Sequence, residues 1–285
     1  MSFKDILVLF TDARSAPVRL NIAVEMARRD GAHLIGLYVI PTITLLAGGL
    51  TYTGSEAELT ALQVIENQTR TNALNTAGEV EKAFNDAAKR AGIASEWRLV
   101  EGDVAYAAIL HARHADIAIL GQDDPERPVP TAPNLVEAVL LDAGRPIIIV
   151  PYAGRFHDIG ANVLIAWNAT REGARAVNDA MPILVKAANV TVFSVNPPDA
   201  ASLGPALPGA DISLHLARHG VKAEASSTVN TEIDIGNIIL SRAADFGSDL
   251  IVMGGYGHSR QREWILGGVT RTLLQHMTVP VLMSH

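Results

Sequence analysis

The stretch "NVLIAWNATREGARAVNDAMPILVKAANVTVFSV", residues 162–195, decides the fold because it repeats an earlier part of the chain. It opens on a short apolar run typical of a buried strand, continues with helix-like apolar spacing and closes on a second run rich in β-forming residues. Residues 5–39 show the same order, from "DILVLF" through a helical stretch ending at Gly31 to "AHLIGLYV". An internal repeat of this length indicates two copies of one structural unit.

The later parts of the two halves also match. "ADIAILGQ" (115–122) corresponds to "SDLIVMGG" (248–255), and "RPIIIVPY" (145–152) corresponds to "VPVLMSH" (279–285). Strands that are apolar throughout and alternate with helices are typical of a parallel sheet covered on both faces. We therefore predict an α/β fold made of two repeated doubly wound units.

We place the two domains at residues 1–153 and 159–285, joined near the segment "YAGRFHDIG". They differ in the middle, where the first half carries a long polar helix over residues 55–92. The second half has a Pro- and Gly-rich loop and a shorter helix over 196–220. With 285 residues, the chain is long enough for both domains to bury their own cores.

Composition excludes several classes of function. Lys and Arg total 23 against 30 Asp and Glu, a formal charge of -7, so no basic surface favours nucleic acid or an anionic membrane. The chain has no cysteine, which excludes disulfides, thiolate metal sites and cysteine nucleophiles. The opening "MSFKDILVLFTD" has too short an apolar run for a signal peptide or membrane anchor. We predict a cytoplasmic protein.

The segment "MGGYGHSRQREWILGGVTR", residues 253–271, combines glycines with His258, Arg260 and Arg262. It follows the fourth strand of the second half, at the edge where open α/β sheets bind ligands. Its last glycines open the helix "VTRTLLQHM", whose free N–H groups and dipole favour an anion. The pattern predicts a di- or triphosphate site, although neither of the usual phosphate-binding glycine motifs occurs.

The doubled unit and the G-x2-G-x9-G pattern at Gly254, Gly257 and Gly267 resemble a tandem universal stress protein. The resemblance covers both halves and implies five-stranded parallel sheets of order 3-2-1-4-5. It also implies that the glycines hold the phosphates of ATP, that a Ser or Thr after the last glycine contacts them, and that an Asp after the first strand holds the adenosine.

The second half departs from that pattern at two positions. Gly268 stands where the hydroxyl is expected, and Asn168 stands where the Asp is expected. His258, Arg260 and Arg262 could restore phosphate contacts through charge-assisted hydrogen bonds. We predict a site for ATP or another adenine nucleotide, with or without Mg²⁺, at the following residues: Asn168, Val195, Gly254, Gly255, Gly257, His258, Arg260, Arg262, Gly267, Gly268 and Val269.

The first half shows the reverse pattern. Asp12 matches the acidic position of the family, but only Gly121 remains of the glycine motif. Asp123 and Asp124 stand where phosphates would lie, and two carboxylates there repel a polyphosphate unless a metal intervenes. We therefore interpret Asp12 and Gly121 as a vestigial site.

Each of these features also has a structural interpretation. The glycines could form a turn only, Asp12 and Asn168 could cap the following helices, and Arg260 and Arg262 could be solvated charges. Two histidine pairs, His215 with His219 and His111 with His114, have spacings that place both rings on one helix face. No accompanying carboxylate motif occurs, so we assign no metal site.

Three functions stay open at this stage. The first is a signalling or regulatory module that binds a nucleotide in its second domain. The second is a stress-response interaction protein with a degenerate site, and the third is a slow ATP hydrolase in which His258 positions water. The P-loop lysine and an assignable general base are missing, so we assign no catalytic residue.

The fifth strand of each predicted sheet is an edge that needs cover. Universal stress proteins commonly dimerise through this strand, so the resemblance implies antiparallel pairing of residues 146–151 with 279–284. One chain would then be an intramolecular pseudo-dimer. We also expect a homo-oligomer and an unknown protein partner, with the apolar loop "TITLLAGGL", residues 42–50, as a contact or lid.

Overall fold

The computed structural model describes residues 2–42, 56–126, 134–197, 208–256 and 268–285. The elements of the first half are β1 Asp5–Phe10, α1 Ala16–Asp30, β2 His33–Pro41, α2 Glu56–Ala91, β3 Ser95–Gly102, α3 Val104–Ala112, β4 Ile117–Gly121, α4 Leu135–Asp142 and β5 Ile147–Val150. Those of the second half are β6 Asn162–Ala166, α5 Arg171–Asp179, α6 Met181–Leu184, β7 Asn189–Val195, α7 Ala210–Arg218, β8 Ala223–Thr228, α8 Ile235–Asp245, β9 Leu250–Gly254, α9 Gly268–His276 and β10 Val281–Ser284.

The strands form one sheet of ten in the order β3-β2-β1-β4-β5-β10-β9-β6-β7-β8. Within each half all neighbours are parallel, and both halves have the order 3-2-1-4-5. The predicted doubly wound fold is therefore confirmed in each half. In each half the strand order reverses between the first and fourth strands, which is where such sheets bind ligands.

Both faces of the sheet are buried. Along β1, Ile6, Val8 and Phe10 pack into one hydrophobic layer, whereas Leu7 and Leu9 pack into the other. A strand that is covered on two sides must be apolar at every position, since successive side chains point to opposite faces. This explains the continuous apolar runs of the sequence.

The helices begin and end at residues suited to those positions. Helix α1 has a proline in its first turn and ends at Gly31, whose φ of 63° is in the left-handed region that glycine enters at little cost. Helix α3 is capped by Asp103, which accepts from the Tyr106 N–H, and α5 by Thr170, which accepts from the Gly173 N–H. None of the helices in the described residues is both long and apolar enough to cross a membrane.

The two halves meet at their fifth strands. Strand β10 pairs antiparallel with β5, with Val281 opposite Ile149 and Leu282 opposite Ile148. Ile148 and Leu282 are both fully buried. The predicted pairing of the fifth strands within one chain is thus confirmed, and β10 is an inner strand between β5 and β9.

A second contact joins the halves at the far end of α1. Asp30, whose side chain is completely buried, forms an ion pair with Lys186 of the second half. Next to it, Arg29 Nη1 donates to the Ile159 carbonyl at 2.9 Å. Polar groups that are buried between packed units stabilise only when paired, so these contacts fix the orientation of one half on the other.

Candidate functional site

A cleft of about 260 Å³ lies at the carboxyl ends of β6 and β9, where the strand order of the second half reverses. The ends of three strands and parts of two helices form its walls: Ala166 on β6 with Trp167 and Asn168 after it, Phe193 and Val195 on β7, Met253 and Gly254 on β9, Ile235 and Ile239 on α8, and Gly268, Val269 and Thr270 on α9. Five predicted site residues are therefore brought together: Asn168, Val195, Gly254, Gly268 and Val269.

Helix α9 points its first turn at this cleft. The first N–H groups of a helix have no acceptor within the helix, and they carry the positive end of its dipole. A Cβ added at Gly268 would meet no heavy atom of the described residues within 4 Å, and Gly268 is exposed. Behind it, the buried Thr270 hydroxyl accepts a long hydrogen bond of 3.5 Å from the Tyr256 N–H.

Glycine is required at position 254 because another part of the protein packs against it. A Cβ on Gly254 would lie 2.5 Å from the carbonyl carbon of Glu172 and from the nitrogen of Gly173. The first turn of α5 therefore sits directly on the end of β9. Close approach of two backbones, rather than approach of a ligand, is the visible reason for this glycine.

Gly255 also faces protein. A Cβ there would lie 2.7 Å from a methyl carbon of Leu140, which belongs to α4 of the first half. Its N–H donates to the Ser284 carbonyl at 2.8 Å, and its carbonyl lies 3.1 Å from His285 Nδ1. The structure places Gly255 in the contact between the halves and not among the residues that line the cleft.

Asn168 lines the cleft, but a neighbour uses its oxygen. The Asn168 Oδ1 accepts from the Thr170 N–H at 3.2 Å and from the Thr170 hydroxyl at 2.8 Å. Thr170 in turn caps α5. Asn168 therefore organises the turn between β6 and α5, whereas the helix cap that was one of its two expected roles belongs to Thr170.

The described residues around the cleft include one buried carboxylate. Glu172 is only 7% exposed and accepts from Arg171 Nε at 3.0 Å and Nη2 at 2.7 Å. Burial opposes its ionisation, but hydrogen bonds from the backbone and Arg171, together with the attraction of His285, lower its pKa. Glu172 thus forms an ion pair with Arg171 next to Gly254, and neither of the two residues is among those that line the cleft.

The remaining predicted residues, Gly257, His258, Arg260, Arg262 and Gly267, lie outside the described residues. The structure neither brings them to the cleft nor removes them from it, so their roles stay predictions. The described residues do establish the positions of Gly254, at the end of β9, and Gly268, at the start of α9, which lie on either side of these five residues in the sequence. Both glycines line the cleft.

The first half has a larger cavity of about 840 Å³ at the equivalent sheet edge. Asp12 and Gly121 both line it, together with Asp123 and Asp124. Asp12 Oδ1 accepts from the Ser15 N–H at 2.7 Å, and the Ser15 hydroxyl donates to Oδ2. Burial, reinforced by Glu137, raises the pKa of Asp123. The predicted juxtaposition of carboxylates near Gly121 is present.

Arg19 is a site feature of the first half that our sequence reasoning missed. This arginine is 3% exposed and lies beside Gly121, where its guanidinium fills the space that a Cβ would take. Its Nη1 donates to the Ser15 hydroxyl at 2.9 Å and its Nη2 lies 3.5 Å from Asp12. The sequence signal was available, since Arg19 is three residues after Ala16 and four before Ala23 on the apolar face of α1.

Comparison with known families gives two matches along the chain. The model described as "Universal stress protein family" matches residues 2–121 and again residues 161–285. The two matches together span more than half of the chain and correspond to the two structural halves. A comparison with curated proteins finds no match.

Solved structures give similar results. A universal stress protein from Archaeoglobus fulgidus DSM 4304 has a TM-score of 0.72 at 16% identity, covering 98% of this chain and 95% of that one. A functionally unknown protein from Pseudomonas aeruginosa PAO1 has a TM-score of 0.58 at 14% identity, with coverages of 99% and 92%. A universal stress protein from Archaeoglobus fulgidus in complex with dAMP has a TM-score of 0.32 at 18% identity, covering 52% of this chain and 98% of that one. At such identities the first two likenesses show the fold alone.

Proposed function

The chain belongs to the universal stress protein family, and on that premise we propose that its second half binds an adenine nucleotide, ATP above all, and acts as a signalling or regulatory module in a stress response. The observation that carries this proposal is the cleft between β6 and β9, which has the first turn of α9 at one end. Helix N-termini at the switch point of an open parallel sheet are suited to phosphate groups.

The chemistry of the cleft walls supports two subsites. Phe193, Val195, Ile235, Ile239 and Met253 are apolar and offer contact to a flat, weakly polar base. Gly268 and Val269, at the start of α9, offer N–H donors to an anion. Because these N–H donors lie at the start of α9, we infer that the phosphates lie on the α9 side.

The first half differs in the charges that surround its cavity. Its cavity holds Asp123 and Asp124 near Gly121, and the ion pair of Arg19 with Asp12 uses the carboxylate that the family resemblance assigns to adenosine. Two carboxylates repel a polyphosphate, and the paired Asp12 would have to give up its present partners to bind a ribose. We therefore propose one nucleotide per chain, bound in the second half.

The test is titration calorimetry of the full chain with ATP, ADP and AMP, each with and without Mg²⁺. We expect saturable binding with a stoichiometry near one per chain. Gly257→Val should abolish it by blocking approach of the phosphates, whereas Asp12→Asn in the first half should leave the affinity unchanged. The absence of heat with all three nucleotides at millimolar concentration would overturn the proposal and favour an interaction protein with a degenerate site.

A slow ATP hydrolase is the other function open for this cleft, and it needs its own assay. Phosphate release would be followed with the purified chain and with His258→Ala. A rate of phosphate release that falls in His258→Ala would favour the hydrolase. A rate equal to that of buffer alone would favour a module that binds the nucleotide without hydrolysing it.

A further inference from the structure

We propose that His215 and His219, on the outer surface of the second half, form a binding site for a late first-row divalent metal ion such as Ni²⁺, Cu²⁺ or Zn²⁺. His215 lies in the last turn of α7 and His219 is the residue that ends this helix. Both side chains are exposed. The site is independent of the proposed nucleotide cleft, whose walls do not include α7.

The spacing of the two rings fits one shared ion. Their centroids lie 4.8 Å apart with an interplanar angle of 62°. A metal–nitrogen bond of about 2.0–2.1 Å, plus roughly 1.1 Å from nitrogen to ring centre, puts two centroids about 4.5–5.2 Å apart when the bonds meet at about 90–109°. The observed separation of the ring centroids falls inside this interval.

The end of α7 at which the pair lies favours a cation, and Arg218 in the same turn is the cationic side chain that opposes it. The last carbonyl groups of a helix lack partners within the helix and carry the negative end of its dipole, and both rings lie at that end of α7. Among the residues that the structure describes, neither imidazole has a hydrogen-bond partner. As far as the described part of the chain goes, the ring nitrogens of both side chains are therefore free to coordinate a metal.

The donor set determines which metals would bind. No group of three His, Cys, Asp or Glu side chains suited to a metal occurs among the described residues, so His215 and His219 would be two protein ligands, completed by water. Imidazole suits Cu²⁺, Ni²⁺ and Zn²⁺, whereas Mg²⁺ prefers oxygen ligands. The expected order of affinity is Cu²⁺ above Ni²⁺ and Zn²⁺, with Mg²⁺ not bound.

The other histidine pair provides a control within the same molecule. His111 Nδ1 lies 3.0 Å from Arg98 Nη1, and His114 Nδ1 lies 3.1 Å from the Leu110 carbonyl oxygen. A guanidinium at His111 uses one ring nitrogen and repels a metal cation. Similar sequence spacing therefore predicts a metal site on α7 and none on α3.

The experiment is calorimetric titration of the full, tag-free chain with NiCl₂, in the absence of nucleotide. We expect one ion per chain, at least tenfold weaker binding for His215→Ala and for His219→Ala, and an unchanged affinity for the double variant His111→Ala/His114→Ala. His215→Gln keeps a polar side chain of similar reach, and we expect it to lose affinity like the alanine variant.

A second measurement locates the ion. Modification of histidines by diethyl pyrocarbonate, read by mass spectrometry, should show Ni²⁺-dependent protection of His215 and His219 but not of His114. Wild-type affinity in either single alanine variant, or protection elsewhere only, would overturn the proposal. Because no nucleotide is present, failure of this test leaves the proposed nucleotide site unaffected, and failure of nucleotide binding leaves the metal site unaffected.

Discussion

Gln122 of the first half caps a helix of the second half: its Nε2 donates a hydrogen bond of 2.8 Å to the carbonyl of Leu274. Leu274 lies in the last turn of α9, where carbonyls have no partner within the helix. The other end of the same amide accepts from the Tyr152 N–H at 3.2 Å. The helix whose first turn faces the candidate cleft is therefore held at its last turn by the opposite half.

Removing this cap should destabilise the chain. Gln122 is 8% exposed and both of its hydrogen bonds are partly buried, so Gln122→Ala removes the partner of the Leu274 carbonyl and of the Tyr152 N–H. We expect a loss of about 1–3 kcal/mol in the free energy of unfolding. Urea titration measures this loss, and hydrogen exchange should show faster exchange in α9. Gln68→Ala is the control, because Gln68 is exposed and donates only to Asn72; equal effects of the two changes would contradict the capping role.

Gly254→Ala should be destabilising for a steric reason. The new Cβ would lie 2.5 Å from backbone atoms of Glu172 and Gly173, which cannot move without shifting α5. We expect a loss of roughly 1–3 kcal/mol, measured by urea unfolding. Gly78→Ala, in the middle of α2 with no atom within 4 Å of its Cβ, should be neutral or stabilising. A neutral Gly254→Ala would show that α5 and β9 are not in close contact.

Gly268→Ser should tighten binding of ATP. A Cβ at this position would meet no atom of the described residues within 4 Å, and the serine hydroxyl would add one donor at the start of α9. One hydrogen bond corresponds to about 0.5–1.5 kcal/mol, or roughly two- to tenfold in Kd. Calorimetry with Gly268→Ala as the control separates the hydroxyl from the added carbon. Unchanged or weaker affinity in the serine variant would mean that the phosphates do not reach this position.

Asp12 should contribute to the pH dependence of stability. Burial opposes its ionisation, but hydrogen bonds from Ser15 and the positive charge of Arg19 together lower its pKa below the ordinary 3.8. A carboxyl with a lower pKa in the folded state stabilises the protein above pH 3.8 and loses that contribution as the pH falls through the folded value. The wild type should therefore be more stable than Asp12→Asn at pH 6, and the difference should shrink towards pH 3. A difference that is constant over this range in urea titrations would contradict the coupling to Arg19.

The fold could be predicted from the sequence because its signals are long and repeated. Several inner strands contain continuous apolar runs, as "ILVLF" (6–10) and "LIVM" (250–253) show, and two-sided burial leaves few other interpretations of such runs. The internal repeat then indicated that the two halves have the same fold. The fifth strand of each half is an apolar edge strand, whose unpaired backbone N–H and C=O groups need another strand as a partner. The family resemblance supplied their pairing, which the structure shows between Ile148 and Leu282.

The candidate site was less predictable because its contacts depend on tertiary packing. Gly254 belongs to a motif whose glycines are expected to admit phosphates, yet its neighbours are backbone atoms of α5. Gln122 is a single polar residue after a strand, and nothing local to it indicates a bond to a helix 152 residues away. The sequence does show that Arg19 is a charged residue on the apolar face of α1. It does not show that Asp12 is its partner, because the two side chains come together only when the turn before α1 is folded.

The antiparallel pair of fifth strands should be the main link between the halves. Leu282 is fully buried in β10, opposite Ile148 of β5, so Leu282→Ala should cost about 2–5 kcal/mol in the free energy of unfolding. Leu214→Ala, at a side chain that is 55% exposed, is the matched control and should have a small effect.

Truncation after Pro280 is a stronger test of the same link, since it removes β10, the strand that lies between β5 and β9. We expect the truncated chain to melt at a lower temperature and its halves to become separable by limited proteolysis near residues 152–160. An unchanged melting temperature would mean that contacts such as Asp30 with Lys186 suffice to hold the halves together without β10.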